Sequence, residues 1–475
     1  MQKALDHPIF RTLGEAADHL GVEAYVIGGY VRDLILQRKE PKDIDVVAVG
    51  SGIELAQEVA KRLGGRKVNV FKNFGTAQIK LSKEDLELEF VGARRESYQR
   101  DSRKPIVEDG SREDDQKRRD FTINALALSL NKENYGELLD PFGGIQDLNE
   151  GIIRTPLDPE ITFSDDPLRM MRAIRFASQL DFTITDECLQ AIHNQNQRLE
   201  IISMERIVDE LHKIMASPKP SKGLILLYRT GLLQHFLPEV VDLAGVEELE
   251  GQSHKDNFYH TAIVVDNVAA RSENIWLRYA ALFHDIGKPP TKKFVKGTGW
   301  TFHSHEFVGS KMVRKIFRRL KLPLGEPMKY VQKMVLLSSR PQAVAEEQAT
   351  DSAARRLLFD AGEDIDELMI LCESDLTTRN EKKKKRYLAK YQEVRDKLIE
   401  VEEKDRLRQF QPPVDGMEIM QIFDLKPGPE IGNLKSAVKD AILDGEIEND
   451  REQALRFLYD KARSMGLEPK QDHEH

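Results

Sequence analysis

Cysteine is nearly absent. Cys188 and Cys372 are the only two in 475 residues, too few and too isolated for a disulfide framework or a thiolate metal site. No apolar run approaches the roughly 20 residues that span a bilayer, which argues against a membrane helix. The start, Met1-Gln2-Lys3-Ala4-Leu5-Asp6-His7, has no basic stretch leading into an apolar one, so no secretory signal is expected. Internal repeats and low-complexity tracts are missing too. Together these absences lead us to expect a cytoplasmic protein. An overall basic excess is also lacking. The formal net charge is -9, which counts against a uniformly basic nucleic-acid binder. Basic residues are concentrated locally instead, in 311–321 and 382–386. Each run reads either as a solvated helix face or as a contact for an anion.

What is present is an ordinary globular composition, 40% hydrophobic and 32% charged, in a chain long enough for about three domains. Helical spacing of Ile9, Phe10, Leu13, Ala16, Ala17 and Leu20 opens it. A short strand over 24–27 then runs into Gly28-Gly29, and a helix is expected over 31–36. Glycine lets a backbone approach a ligand closely, and a helix start offers unpaired N–H groups to phosphate. Arg32 adds a fixed positive charge.

The next strand, 44–49, carries Asp43-Ile44-Asp45-Val46. Residues two apart share a face of a strand, so Asp43 and Asp45 project together while Ile44 and Val46 enter a core. Two adjacent carboxylates repel unless a cation lies between them. A hard divalent ion bridging to nucleotide phosphates, Mg²⁺ above all, suits that position. A helix over 53–63 and strands over 67–71, 76–81 and 86–91 follow. Glu89 falls on the polar face of the last strand, as a third carboxylate beside the pair or as a solvated residue.

Residues 94–117 are polar and aperiodic, and read as a mobile loop. Arg118-Arg119-Asp120 follows, placing cations next to the acids, before Phe121-Thr122-Ile123-Asn124. Residues 140–148 turn into a short helix. In Ser164-Asp165-Asp166-Pro167-Leu168-Arg169, Ser164 or Asp165 suits a helix N-cap and Pro167 the first helical position. Arg169, Arg172 and Arg175 then recur every third residue along one helix stripe, with Asp166 at its start. Stacked like charges need an anion to offset them. They are met either by acids elsewhere in the fold or by a nucleoside triphosphate, with Arg169 donating and Asp166 accepting at a base edge. Arg206 and Glu210, four apart, read as a helical pair bracing this platform.

At about residue 252 the composition changes. His260 lies on an apolar helix, His284-Asp285 at a helix end, and Asp375 far downstream. Imidazole and carboxylate together suit a divalent transition metal. The set reads as a metal site or as a helical scaffold whose site is idle, with His303 and His305 as surface residues. Beyond 363 the pattern is helical, breaking at Pro412-Pro413 before a small helical module over 416–443. Residues 470–475 are expected to be disordered.

In order, Gly28-Gly29-Tyr30-Val31-Arg32-Asp33, Asp43-Ile44-Asp45, Arg118-Arg119-Asp120, Asp165-Asp166-Pro167-Leu168-Arg169 and Glu205-Arg206-Ile207-Val208-Asp209-Glu210 resemble the signatures of bacterial class II tRNA nucleotidyltransferases and the related poly(A) polymerases. The resemblance covers roughly 20–240. The part around His284-Asp285 resembles an HD phosphohydrolase domain. The fold implied is α+β. A polymerase-β-like head with a small mixed sheet (1–150) precedes a helical, nucleotide-selecting and RNA-binding neck (151–245), an HD domain (246–400) and a helical tail (401–475).

The implied activity is template-independent addition of CCA to tRNA 3′ ends from CTP and ATP, with no membrane and no obligate protein partner. A-only addition, poly(A) synthesis and an HD phosphohydrolase as main or second activity are the alternatives. CC-only addition is disfavoured, because the stretch 94–117 resembles the flexible element needed for switching to A. Carried over by position, Asp43 and Asp45 are catalytic and bind Mg²⁺. Gly28, Gly29, Arg32, Arg119, Asp120, Asn124, Asp166, Arg169, Arg172 and Arg175 form the nucleotide site. His260, His284, Asp285 and Asp375 would hold the HD metal, a transition ion or Mg²⁺. One departure from the family pattern is Asp165, where a glutamate is usual.

Overall fold

A computed structural model describes residues 5–38, 42–97, 106–246, 248–249, 252–253, 256–346, 350–378, 380–405 and 413–470. The chain forms two compact units, Met1–Val241 and Asp242–His475.

The first unit begins with α1 (Pro8–Leu20), β1 (Ala24–Ile27), α2 (Gly29–Ile35), β2 (Asp43–Ala48) and α3 (Gly52–Arg62). Strands β3 (Asn69–Phe71), β4 (Thr76–Leu81) and β5 (Leu86–Gly92) follow. Next come β6 (Arg94–Ser97), β7 (Ile106–Asp109), α4 (Arg112–Lys117), β8 (Ala127–Ser129), β9 (Leu138–Leu139) and α5 (Gly144–Glu150). The sheet runs β3-β4-β5-β2-β1-β8-β9. Only β2 and β5 pair in parallel, so the sheet is mixed.

The alternation of β2 settles which way its acids face. Ile44 and Val46 are buried, and α3 packs over β4 and β5 and against α1. Phe10 and Leu13 from α1 and Leu55 and Val59 from α3 are fully enclosed, each contributing about 2 kcal/mol of burial. Asp43 and Asp45 lie on the opposite face. Gly52 has no room for a side chain, since a Cβ there would sit 2.5 Å from the Val91 backbone.

The expectation for 94–117 requires correction. β6 and β7 pair as a hairpin, Arg95 opposite Glu108, and α4 follows with a reciprocal capping box between Ser111 and Asp114. Charged side chains on both strands hid the alternation that a strand normally shows. Residues 98–105 of that stretch lie outside the described residues.

The rest of this unit is helical apart from a short parallel strand pair, Ile152–Ile153 with Thr183–Ile184. α6 (Pro159–Asp165) precedes α7 (Leu168–Leu180), with α8 (Asp186–Gln195), α9 (Met204–Met215), and the helices Pro220–Arg229 and Pro238–Val241 beyond. Ser164 and Asp165 therefore end one helix rather than cap the next. Asp166 lies between the two, and its Oδ1 accepts from the Leu168 amide at 3.2 Å. Met170, Met171 and Ile174 of α7 are fully buried, and α7 packs against α9.

The second unit is built of helices with two short antiparallel strand pairs, Glu248–Leu249 with Gln252–Ser253 and Lys293–Val295 with Gly299–Thr301. The basic run 311–321 lies mostly on the helix His305–Arg319, with Val313, Ile316 and Phe317 inside and Lys311, Arg314, Lys315 and Arg318 outside. The run 382–386 opens the helix Glu381–Asp405. Three helices, Gly416–Phe423, Pro429–Asp444 and Arg451–Ser464, close around Ile419, Leu434, Val438 and Leu458. Of the end expected to be disordered, 470–475, Lys470 is held, its amide donating to the Ile422 carbonyl at 2.8 Å, while 471–475 and Pro412 lie outside the described residues.

Candidate functional site

The twelve residues expected at the nucleotide and acid sites, from Gly28 to Arg175, all line one cavity of about 900 Å³ in the first unit. Its floor is the β1–α2 turn. Gly28 has a φ of 83°, a conformation that favours glycine. A Cβ at Gly28 would lie 3.5 Å from Asp45 Oδ2 and 3.6 Å from Arg119 Nη1. The turn thus presents backbone between an acid and a cation. Arg32 is buried and fixed from two sides. Its Nε and Nη2 donate to Asp33 at 2.8 and 2.9 Å, and its Nη1 to Asn124 Oδ1 at 2.8 Å.

Asp43 and Asp45 face the same cavity, and the parallel register sets Glu87 beside Asp43 and Glu89 beside Asp45. Burial raises the Asp45 pKa, opposed by Arg119 and reinforced by Asp43. Glu89 is raised by burial and then by Asp45 and Glu87. Asp45 and Glu89 thus resist ionising, and the cluster, all oxygen donors, fits a hard divalent cation.

Arginines line the same cavity, and buried acids hold them. Asp115 is fully buried and grips Arg118 and Arg119 at 2.6 and 3.1 Å. Asp120 accepts from Asn124 at 3.0 Å and from Arg172 at 2.7 Å. Burial would raise the Asp120 pKa, but Arg172 and these bonds outweigh it and hold it at about 2. Arg169 donates to the Arg118 carbonyl at 2.7 Å.

Arg175 meets Glu210 at 3.1 Å in the interior, and burial pushes its pKa down to about 10 although Glu210 opposes the shift. The expected Arg206–Glu210 pair is therefore replaced. Glu210 engages Arg175 and Lys213, while Arg206 is exposed at the cavity. Phe176 joins the wall: Arg175, Arg32 and Arg172 stand 4.1, 4.9 and 5.5 Å from its ring centre. Neither Phe176 nor Asp115 stood out in the sequence. The spacing of Asp115 to Arg118 and Arg119, three and four residues, was the available signal.

The second unit gathers the other expected residues. His260 Nε2 lies 2.7 Å from Asp375 Oδ1, and His284 Nε2 3.3 Å from Asp285 Oδ2 and 3.5 Å from Asp375 Oδ1. His305, read as a surface residue, belongs here too, with Nε2 3.7 Å from Asp285 Oδ1. The left-handed turn at Ser304, φ 61°, delivers it, while His303 stays exposed.

Each ring is oriented from behind. The Nδ1 atoms of His260, His284 and His305 meet Thr377 Oγ1, the Ala281 carbonyl and the Phe302 carbonyl at 2.9, 2.7 and 2.9 Å. Three Nε2 atoms thereby converge on two carboxylates. His284 Nε2 and Asp375 Oδ1 are buried with no aligned hydrogen bond. Inward-turned lone pairs with Nδ1 held by carbonyls or a hydroxyl are the donor arrangement of a metal centre. Among the described residues, ligand atoms of His260, His284 and Asp285 lie within 4.8 Å of one another.

A mixed sheet presenting an acid pair to a glycine turn and an arginine wall defines a nucleotidyltransferase head, and the second unit carries a histidine–aspartate metal-site arrangement. The comparisons agree. The Poly A polymerase head domain profile matches residues 24–154, the probable RNA and SrmB-binding site of polymerase A 181–243, and the HD domain 257–380. An A-adding tRNA nucleotidyltransferase of Deinococcus radiodurans is 33% identical over 72% of this chain and 77% of its own. A CC-adding enzyme of Thermus thermophilus is 29% identical over 92% and 93%. Of two further A-adding relatives, from Aquifex aeolicus and Geobacter sulfurreducens, the chain spans only 19% and 27% of their length. In fold it matches the Bacillus stearothermophilus CCA-adding enzyme in complex with CTP, at TM-score 0.66, 24% identity and 98% and 99% coverage. The chain belongs to the bacterial tRNA nucleotidyltransferase and poly(A) polymerase family, and carries an HD domain. Both are metal-dependent families. No described helix is long and apolar enough to cross a membrane.

Proposed function

We propose that the first unit adds C, C and A to the 3′ end of tRNA, taking CTP and ATP and releasing pyrophosphate. The observation that carries this reading is a single cavity lined together by the acid pair, the glycine turn, Asp166 and Arg169. That arrangement selects a base by protein groups, without a template. Cytosine and adenine each present an amino donor beside a ring-nitrogen acceptor. Asp166 can accept from the first while Arg169 donates to the second, and uracil and guanine present the reverse. Arg169 is pre-aimed by the Arg118 carbonyl.

Gly28, Gly29, Arg32 and Arg119 receive the phosphates, where fixed N–H groups offset charge as it develops. Asp120 and Asn124 position Arg172 and Arg32, and Arg175 braces the platform on Glu210. Asp43 and Asp45 would hold Mg²⁺, which when bound lowers the pKa of the RNA 3′-hydroxyl and steadies the leaving pyrophosphate. The free thiols Cys188 and Cys372 suit a cytoplasmic enzyme.

The test is incubation with tRNA transcripts ending before CCA, after C and after CC, with CTP, ATP or both, and sequencing of the product ends. Completion of all three ends supports the reading. Addition of A alone, and only to the CC end, replaces it with the A-only reading that the Deinococcus relative favours. Long A tails would indicate a poly(A) polymerase.

For the second unit we propose a resident transition metal on His260, His284, Asp285 and Asp375, supporting hydrolysis of phosphomonoesters or 2′,3′-cyclic phosphates. The converging donors support it.

A further inference from the structure

Resting on that reading, we propose that Phe71 and Phe74 form a stacking site for the last bases of the RNA that is being extended. Phe74 is 74% and Phe71 48% exposed, both large apolar rings at the sheet edge. With Thr76, Val91 and Arg94 they line a cavity of about 460 Å³. Glu89 lines this cavity and the larger one alike, so the two adjoin at that residue.

The register places the aromatic site on the catalytic face. Asp45 pairs with Glu89, and Val91, two residues on, shares that face. Val91 pairs with Thr76, and Thr76 with Phe71. Phe71 therefore faces the same way as Asp45, three strand spacings across and two residues along, about 16 Å away. At about 3.4 Å per stacked residue, that is a reach of roughly five nucleotides.

Strand order gives the direction. β2 carries the acids and lies between β1, which leads into the glycine turn, and β5, which leads through β4 to β3. The triphosphate is held on the β1 side. An in-line displacement brings the attacking hydroxyl in opposite the leaving pyrophosphate, hence from the β5 side, where the two rings stand. Aromatic faces suit this task because they stack on any base, as an enzyme acting on many tRNAs requires. Exposed Lys72, which follows Phe71 in the chain, supplies a cation for the backbone.

The test uses the full chain and a tRNA transcript lacking CCA. In the variant carrying Phe71→Ala and Phe74→Ala, the KM for the transcript should rise roughly tenfold or more, with the KM for CTP and the Tm unchanged. F74W should restore the transcript KM, and its emission should quench on binding RNA. An unchanged transcript KM in the double variant, or an equal rise in the KM for CTP, overturns the site. Direct binding of the transcript decides the inference independently of turnover. If wild type binds the transcript, the double variant binds it more weakly, yet wild type adds no nucleotide, then the proposed function fails and the stacking site stands.

Discussion

The two candidate metal sites of this chain are built on opposite principles. Asp43 and Asp45 stand at a broad, open cavity, with oxygen donors only, Arg119 close by and a raised Asp45 pKa. His260, His284, His305, Asp285 and Asp375 converge in a close cluster, His284 and Asp285 buried at its centre, with every imidazole fixed through its Nδ1. Here the carboxylates of Asp285 and Asp375 outweigh burial and raise the His284 pKa to about 10, so the cluster favours positive charge. The first site leaves coordination positions for ligands that arrive with a substrate, as Mg²⁺ bound through one or two carboxylates and phosphates requires. The second supplies most of a coordination shell itself, as a resident metal requires. The same ingredient, acids near cations, serves transient binding in one place and retention in the other.

The strongest way to break this contrast is reciprocal mutation. Asp43→Ala or Asp45→Ala should reduce nucleotide addition on the order of a thousandfold or more while hydrolysis by the second unit persists. His284→Ala should do the opposite, removing bound metal from the purified protein, by elemental analysis, together with any hydrolysis assisted by Mn²⁺, Ni²⁺, Co²⁺ or Mg²⁺. Loss of both activities in either variant would show that the sites do not act separately.

A smaller effect is expected at Arg169. Arg169→Ala should blur the choice between CTP or ATP and the wrong nucleotides by roughly ten- to a hundredfold, more than it weakens triphosphate binding. Wild-type selectivity in that variant would remove its role at the base edge.

The smallest effects concern stability, and they sharpen the comparison through their sign. The Asp120 pKa is depressed to about 2, so its stabilisation is fully present above the unfolded value near 4 and is lost as pH falls through 2. Asp120→Asn should therefore cost about 2 kcal/mol at neutral pH and little near pH 2. The Asp45 pKa is raised, so its ionised form costs stability. Asp45→Asn should keep or raise the Tm at neutral pH without divalent cations, with the gain fading as pH falls through the Asp45 pKa. Followed by calorimetry at neutral pH, an unchanged or raised Tm in Asp120→Asn would contradict the first assignment, and a lowered Tm in Asp45→Asn the second.

Much of the first site was legible from local rules. Ala24–Ile27 and Thr76–Leu81 fall where alternation and glycine placed strands. The stretch 94–117 was misread because its strands carry charge on both faces, leaving hydrophobic alternation nothing to report. The arginine stripe was placed on the right helix, yet Arg172 and Arg175 turned out to be paired with Asp120 and Glu210. Both partners are distant in sequence. His305 was passed over because a histidine in a polar stretch carries no signal of what will face it.

By itself the sequence determined the side-by-side acids, the glycine turn before a helix, and the i,i+3 arginines. Each depends on backbone periodicity within a few residues. The tertiary structure alone decided that Glu89 lies beside Asp45, that Phe71 shares its face, that Asp120 and Glu210 hold the arginine wall, and that three histidines meet two aspartates. Those facts depend on strand register and on packing between segments up to about a hundred residues apart. No local period encodes them.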